Sequence, residues 1–490
     1  MTAQGPLAHL EPRSLWTHFD ALRRIPRPSG SEAAAREYVR RWAVERGYDA
    51  REDAIGNIRV RVPATPGHES ARPVILQGHL DIVPEKDPAL TFDFMKDPIE
   101  VKVDGDWVVA EKTTLGADNG VGVAAALASA DDASVVHGPL ELLMTIDEER
   151  GLTGAAKVDS SMLEGRTLIN LDSEDEGMLF VGCAGGCTTQ IAFPVKRVQA
   201  PSGYVSVRIA VSGLIGGHSG ITIHENRANA IKVAAHVLGA WMARSPVCVA
   251  SLEAGNKDNA IPRDATVIAH VPATFVAEAR TLAEKTRASL ATEFSGIDPN
   301  LAIAVEPAEG TPSLPLDADR SRQLMLLLTG LPHGALVMSR DIAGMTETST
   351  NLAVARTEVD KIRLTSSCRS SVASALRRTL DQVGAVARLA GAETNDMSGY
   401  PGWQPDMTSA LLATCKAVHK DVCGKEARVT AIHAGLECGL IGERLGGKAD
   451  MISYGPDIRG VHAPGERVSI PSVARFWSFH KAVLSKLARP

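Results

Sequence analysis

The stretch Val74-Ile-Leu-Gln-Gly-His-Leu-Asp-Ile-Val83 decides the fold. VILQG, Val74 to Gly78, is a short apolar run of the kind that forms a buried strand, and it stops abruptly at His79-Leu-Asp81. Two later runs behave the same way. LELLMTI, Leu140 to Ile146, stops at Asp147-Glu148-Glu149, and TLINL, Thr167 to Leu171, stops at Asp172. Between the first two lies a Gly/Ala-rich helical stretch that opens at Asp118-Asn119-Gly120. Strands separated by helices predict an α/β class, a mixed sheet covered by helices. Side chains at the carboxyl ends of strands in such a sheet converge on one crevice. An Asp after a single strand is ordinarily a helix cap or a turn residue. Recurrence at successive strand ends points instead to a shared ligand site.

Outward from this core, the texture changes near Pro194. YVSVRIAVSG alternates apolar and polar residues with the period of a half-buried strand. AHVPATFVAEARTLAEKTRASLATEF reads as a strand start followed by an amphipathic helix. LAIAVEPAEG and KIRLTSSCRSS read as strands, and SALRRTLDQVGAVARLAG as a helix. This is an α+β pattern with antiparallel strands, inserted into the first domain. The expected division is therefore 1–190 for the first part of a catalytic domain, 191–394 for the insert and 395–490 for the second part. NDMSGYPGWQPDM has the Gly, Pro and Asn content of a linker. A helix over Thr408 to Val422 follows it.

Composition excludes several classes. The chain has 490 residues, 44% of them hydrophobic, with 52 basic and 58 acidic residues and a net charge of −6. That length supports two or three domains. The acidic excess lacks the basic footprint of a nucleic-acid or anionic-membrane binder. VGVAAALASA is too short to span a bilayer, which takes about 20 apolar residues. The first residues lack a basic segment followed by an apolar one, so no secretory signal is expected. Seven cysteines, an odd number in a chain without that signal, point to reduced thiols and a cytoplasmic location.

The candidate ligands are His79, Asp118, Glu149, Asp172 and His462. Imidazole and carboxylate without thiolate suit zinc, cobalt or manganese. These donors exceed the needs of one tetrahedral zinc, and with a bridging carboxylate they suit two ions. Asp118, opening a helix and lying between the other ligand segments in sequence, is the expected bridge. Asp81 stands two residues from His79, on the same side of an extended chain, where it can orient the imidazole. Of the neighbouring Glu148 and Glu149, one can bind metal while the other faces the water. Glu149 is assigned to metal and Glu148 to proton transfer as general base.

These motifs, GHLDIV, TTLGADNGVG, TIDEERGLTGA, INLDSED and GVHAPGER, closely resemble the co-catalytic di-zinc peptidases, a superfamily that includes carnosinases and aminoacylases. GGHSG, NAIPR, SSCRSS and HAGLECG extend the resemblance toward its bacterial aminoacyl-histidine dipeptidases. The resemblance implies two zinc ions per subunit, bridged by Asp118, one taking His79 and Asp172 and the other Glu149 and His462. Asp at position 172 resembles the dipeptidase and aminopeptidase branch, whereas aminoacylases tend to carry Glu. It further implies a cis peptide after the bridging Asp, an insert acting as a lid, small dipeptide substrates with a free amino end (Xaa-His and broader), and a homodimer through the lid.

In that lid, His218 of GGHSG is the expected oxyanion donor and Arg369 the expected partner of the substrate carboxylate, with Asn259 a weaker substrate-binding candidate. His433 and Glu437 either line the pocket or support it. Cys183 and Cys187, in the Gly-rich loop GCAGGC, lack a second cysteine pair, so a structural zinc site is not expected. His9, His18, His68, His236, His270, His419 and His480 read as surface or core residues. Two other functions fit the same residues: a related amidohydrolase of N-acyl amino acids, and a metal-binding scaffold without activity.

Overall fold

In the computed structural model, Val74–His79 and Leu140–Thr145 are buried along their whole length and pair in parallel, His79 opposite Thr145. Burial on both faces is why these strands read as unbroken apolar runs rather than as alternation. The structure describes residues 5–309 and 314–489, and it divides into two compact units. One comprises Met1–Cys183, Trp403–Ala431 and Leu436–Pro490, the other Ala184–Gly402 and Ile432–Gly435.

The first unit holds an eight-stranded mixed sheet in the order Asp49–Glu52, Ile58–Val62, Leu140–Thr145, Val74–His79, Thr167–Asn170, Asp450–Ser453, Met178–Cys183 and Arg428–Ile432. The four strands from Leu140–Thr145 to Asp450–Ser453 are parallel, and the pairings with Ile58–Val62 and Met178–Cys183 are antiparallel. Val74–His79 has its next two parallel partners in chain order on opposite sides. The crevice beyond its carboxyl end is therefore a topological switch point. The Ala117–Asp131 helix packs on this strand so closely that a Cβ at Gly78 would collide with Asn119 Oδ1. A side chain at this position would force Asn119, the residue after Asp118, to move. A separate antiparallel sheet contains the hairpin of Ile458–Arg459 and Arg467–Ser469, and its loop carries His462.

The second unit is an antiparallel sheet of nine strands with helices packed against it. Its core gathers Trp241, Phe193, Ile209, Val267, Leu328 and Val383, all buried, from strands and helices together. The indole N–H of Trp241 donates to the Ala279 carbonyl at 2.9 Å, so even this buried polar atom is paired. The α+β expectation for the insert agrees with this unit.

Two local expectations are corrected. GCAGGC is not a loop: Cys183 ends one strand and Cys187 lies in Gly185–Pro194. The glycines admit a neighbouring backbone, since a Cβ at Gly185 would collide with Gly402 N. The linker-like NDMSGYPGWQPDM is also paired. Asp396 stands opposite Thr189, Tyr400 exchanges backbone hydrogen bonds of 2.9 and 3.0 Å with Gly186, and Trp403 bridges Cys183. Its Gly and Pro residues separate short pairings instead of forming a free tether. All seven cysteines are free thiols. No helix among the described residues is long and apolar enough to cross a membrane.

Candidate metal centre

His79 ends its strand, Asp118 stands in the first turn of Ala117–Asp131, Glu148 and Glu149 follow Leu140–Thr145, and Asp172 follows Thr167–Asn170. With His462 they converge in the first unit. His79 Nε2 lies 3.0 Å from Asp118 Oδ1 and 3.3 Å from Asp172 Oδ1. His462 Nε2 lies 3.1 Å from Asp118 Oδ2 and 3.1 Å from Glu149 Oε2. Each Asp118 oxygen thus faces a different imidazole. Potential ligand atoms of His79, Asp118 and Asp172 all lie within 4.8 Å of one another, as do those of Asp118, Glu149 and His462, and those of His79, Glu148 and Glu149. The backbone at this turn departs from helix, with Asp118 at ψ 111°, and the Asp118–Asn119 peptide is cis. Asn119 anchors it by donating from Nδ2 to the Leu171 carbonyl at 2.7 Å.

Asp81 does more than the i, i+2 spacing indicates. His79 Nδ1 is nearer the Asp81 backbone carbonyl, at 3.2 Å, than its carboxylate, at 3.5 Å. The carboxylate instead accepts from the backbone N–H of Glu148 at 3.0 Å, that of Glu149 at 3.1 Å and Ser29 Oγ at 2.8 Å. It therefore couples His79 to the acidic turn.

Electrostatics favour a cation. Burial and the neighbouring carboxylates, Asp172 among them, raise Glu148 well above the ordinary carboxylate range, and burial with the Asp118 charge does the same to Asp172. Burial opposes charge on His79, but Asp172 and the hydrogen bonds it donates to its carboxylate neighbours outweigh it and raise its pKa. Hydrogen bonding to Asp118 and Glu149 pushes His462 up to about 11. Burial would raise Asp118, yet its two imidazole partners hold it far below the usual value. Among buried carboxylate oxygens, Glu149 Oε1 makes no hydrogen bond, and Asp172 Oδ1 has only its 3.3 Å ion-pair contact with His79. A pocket with excess buried acid and an orphaned oxygen, built of imidazole and carboxylate, fits divalent cations.

Supporting residues escaped the sequence reading. Glu466, buried, takes four backbone N–H groups of residues 115–118. Arg27, also buried, donates to the carbonyls of Leu80 and Gly116, each at 2.7 Å. Glu437, left open between pocket and support, lies beneath the centre: its Oε2 accepts from Gln77 at 2.5 Å and Thr145 at 2.9 Å. Gln77 Oε1 accepts from Asn170, so a buried polar layer spans the strands that present the ligands. Burial raises Glu437 and Glu466 to about 7. Glu466 had one signal in the sequence, its place four residues after His462. Glu437 had another, a lone acid in an apolar segment.

His218, Asn259, Arg369 and His433 belong to the second unit. His218 pairs with Ala260 in a two-residue ladder, and its Nδ1 accepts backbone N–H groups of Gly220 and Ile221 at 3.1 and 3.0 Å. The ring proton is thereby assigned to Nε2. Burial and the Arg369 charge lower its pKa. Asn259 supports this turn through its carbonyl, which accepts from Ser219 N at 2.8 Å, while its side chain is exposed. Arg369 is 9% exposed and donates to the Tyr400 hydroxyl at 2.7 Å. Its Nε is unpaired, and among the described residues no carboxylate forms a salt bridge with it. His433 contacts Ser349 Oγ at 2.7 Å, and burial with the Arg369 charge lowers it to about 3.

A mixed α/β sheet with imidazole and carboxylate donors at its carboxyl ends, in a chain with a second, antiparallel unit, defines a metal-dependent hydrolase. The chain belongs to Peptidase family M20/M25/M40, whose family model matches residues 75–486. It is 37% identical over 481 residues to the cytosol non-specific dipeptidase of Escherichia coli (strain K12), covering 98% of this chain and 99% of that protein. The crystal structure of aminoacylhistidine dipeptidase from Vibrio alginolyticus superposes with a TM-score of 0.93 at 38% identity, over 98% of both chains. Aminopeptidase PepT from Bacillus cereus, at 14% identity and a TM-score of 0.55 over 98% of this chain and 100% of its own, shares the fold.

Proposed function

We propose that the protein is a dipeptidase that hydrolyses dipeptides with a free amino end, Xaa-His and broader. The observation that carries this reading is the Asp118 carboxylate, with one oxygen toward His79 and the other toward His462. Similarity to the two dipeptidases supports the substrate class. His79, Asp118 and Asp172 would hold one zinc ion, and Asp118, Glu149 and His462 a second, with cobalt or manganese as alternatives. Such ions supply positive charge that acidifies a water molecule and polarises the scissile carbonyl.

The chain's own groups do the rest. Glu148, next to the ligand Glu149 and grouped with His79, takes the proton of the attacking water and returns it to the leaving amine. Asp81 holds His79 and the Glu148 backbone in register. His218, neutral with its proton on Nε2, donates to the carbonyl oxygen as negative charge develops. Arg369, a buried guanidinium with no carboxylate partner among the described residues, pairs with the substrate carboxylate, and Asn259 positions the peptide beside the His218 turn. In this reading residues 1–190 and 395–490 form the catalytic domain and 191–394 a lid, through which two copies associate.

The test is amino-acid release from Ala-His, β-Ala-His, Ala-Ala-His and N-acetyl-alanine by chelator-stripped protein, before and after zinc is restored. Zinc-dependent cleavage confined to the free-amino dipeptides is expected. Cleavage of N-acetyl-alanine instead moves the protein to the amidohydrolases. No turnover with two ions bound leaves a scaffold.

A further inference from the structure

Glu466 is 2% exposed, yet among the described residues no Lys, Arg or His forms a salt bridge with it. Its carboxylate hydrogen bonds go to backbone, with the buried Arg27 guanidinium near enough to feel its charge. Oε2 accepts from Leu115 N at 2.7 Å and Gly116 N at 3.0 Å, and Oε1 from Ala117 N at 2.8 Å and Asp118 N at 3.3 Å. Gly116, at φ +68°, turns the chain so that successive N–H groups surround the anion, and a Cβ there would press on Ile82 and Arg27. The N-terminus of the Asp118 helix is thus an anion site filled from within the chain.

The same residue closes the loop that carries His462. Ala110 N donates to the Glu466 carbonyl at 3.2 Å, Gly465 N donates to Ala110 O at 3.0 Å and Thr113 O at 3.2 Å, and Glu466 N donates to Ala463 O at 3.2 Å. His462 itself has φ +59°, a conformation costly for a side chain with a Cβ unless its surroundings enforce it. Its ring is half-exposed, and among the described residues its side chain pairs with Asp118 and Glu149. Packing on the ring therefore does little to hold it, and backbone anchorage must.

Resting on the reading of the site as a two-metal centre, we propose that Glu466 is a positioning residue. It locks the His462 loop onto the Asp118 turn and so forms the ligand set shared by Asp118, Glu149 and His462. Asp118 belongs to both ligand sets, but His79 and Asp172 of the other set stand at strand ends that Glu466 does not touch, so that set depends on it less.

Stripped full-length protein titrated with Co2+, read by visible absorption and by equilibrium dialysis, tests this. Wild type should take two ions. Glu466→Gln should weaken the ion held with His462 about 10–100-fold, the range for residues that orient metal ligands, and the other ion distinctly less. His462→Ala should lose the same ion, and E466Q/H462A should be no worse than H462A alone. Should E466Q not fold, Glu466→Asp, which keeps the charge but reaches fewer N–H groups, should show the same selective loss. Unchanged affinity for both ions, or equal weakening of both, overturns the proposal. A wild-type stoichiometry of one ion overturns the two-metal reading beneath it.

Discussion

The Asp81 carboxylate accepts the backbone N–H of Glu148 at 3.0 Å, and its second oxygen accepts that of Glu149 at 3.1 Å. One carboxylate therefore controls both His79, two residues away, and the turn that presents the acidic pair. Removing its charge while keeping its shape should disturb both. Asp81→Asn places an N–H2 against backbone donors, and kcat should fall about 10–100-fold as the ligand and base geometry loosens. Kinetics on Ala-His with metal content measured in parallel checks this. Wild-type kcat at full occupancy would sink it.

Glu148 is the proposed base, and Glu148→Gln preserves its volume while removing the proton acceptor. A fall in kcat of about 10²–10⁴-fold is expected, with little change in metal content. Steady-state assays beside metal analysis decide the matter. Near-normal turnover would transfer the role to another group.

Arg369 is buried and donates to the Tyr400 hydroxyl, an arrangement suited to a further anion. Arg369→Met should raise KM for a dipeptide about 10–100-fold, the value of a charge-assisted hydrogen bond or two. The corresponding dipeptide amide, lacking the carboxylate, should be nearly indifferent to the change. Equal effects on acid and amide would remove Arg369 from carboxylate recognition.

His480 gives a pH prediction away from the site. It is fully buried between Ser129 Oγ at 3.0 Å and the Tyr454 hydroxyl at 2.9 Å, and burial lowers its pKa to about 3. Between that value and the ordinary 6.5, the unfolded chain binds the proton and the native chain does not. Its contribution is thus complete above pH 6.5 and is lost on acidification toward 3, at about 1.4 kcal/mol per pH unit within the window. Denaturant titrations at stepped pH should show a shallower acid slope in His480→Asn than in wild type. Parallel slopes would refute the assignment.

Much of the site was legible because its residues sit where local pattern changes abruptly. VILQG ends at His79, LELLMTI before Glu148 and TLINL before Asp172, and the end of a buried strand is a place in sequence as well as in space. His462 differs: no strand end or periodicity marks it, and it stands in the Gly- and Pro-containing phrase GVHAPGER. Glu466, in the same phrase, reads as an ordinary turn residue because it follows Gly. Its partners are main-chain N–H groups some 350 positions earlier, and such groups carry no side-chain signature. The pairing of NDMSGYPGWQPDM was hidden for a related reason, since strand pairing there depends on backbone contacts that Gly and Pro content masks.

The chain by itself determined the alternation of strands and helices and the His, Asp and Glu residues at the strand ends, because both follow from local periodicity. Tertiary structure alone decided which oxygen of Asp118 faces which imidazole, that Asp81 grips the backbone of Glu148 and Glu149, and that Glu466 fills the helix terminus behind Asp118. Those relations join segments remote in sequence through backbone donors, and their geometry exists only once the sheet has brought the strand ends together.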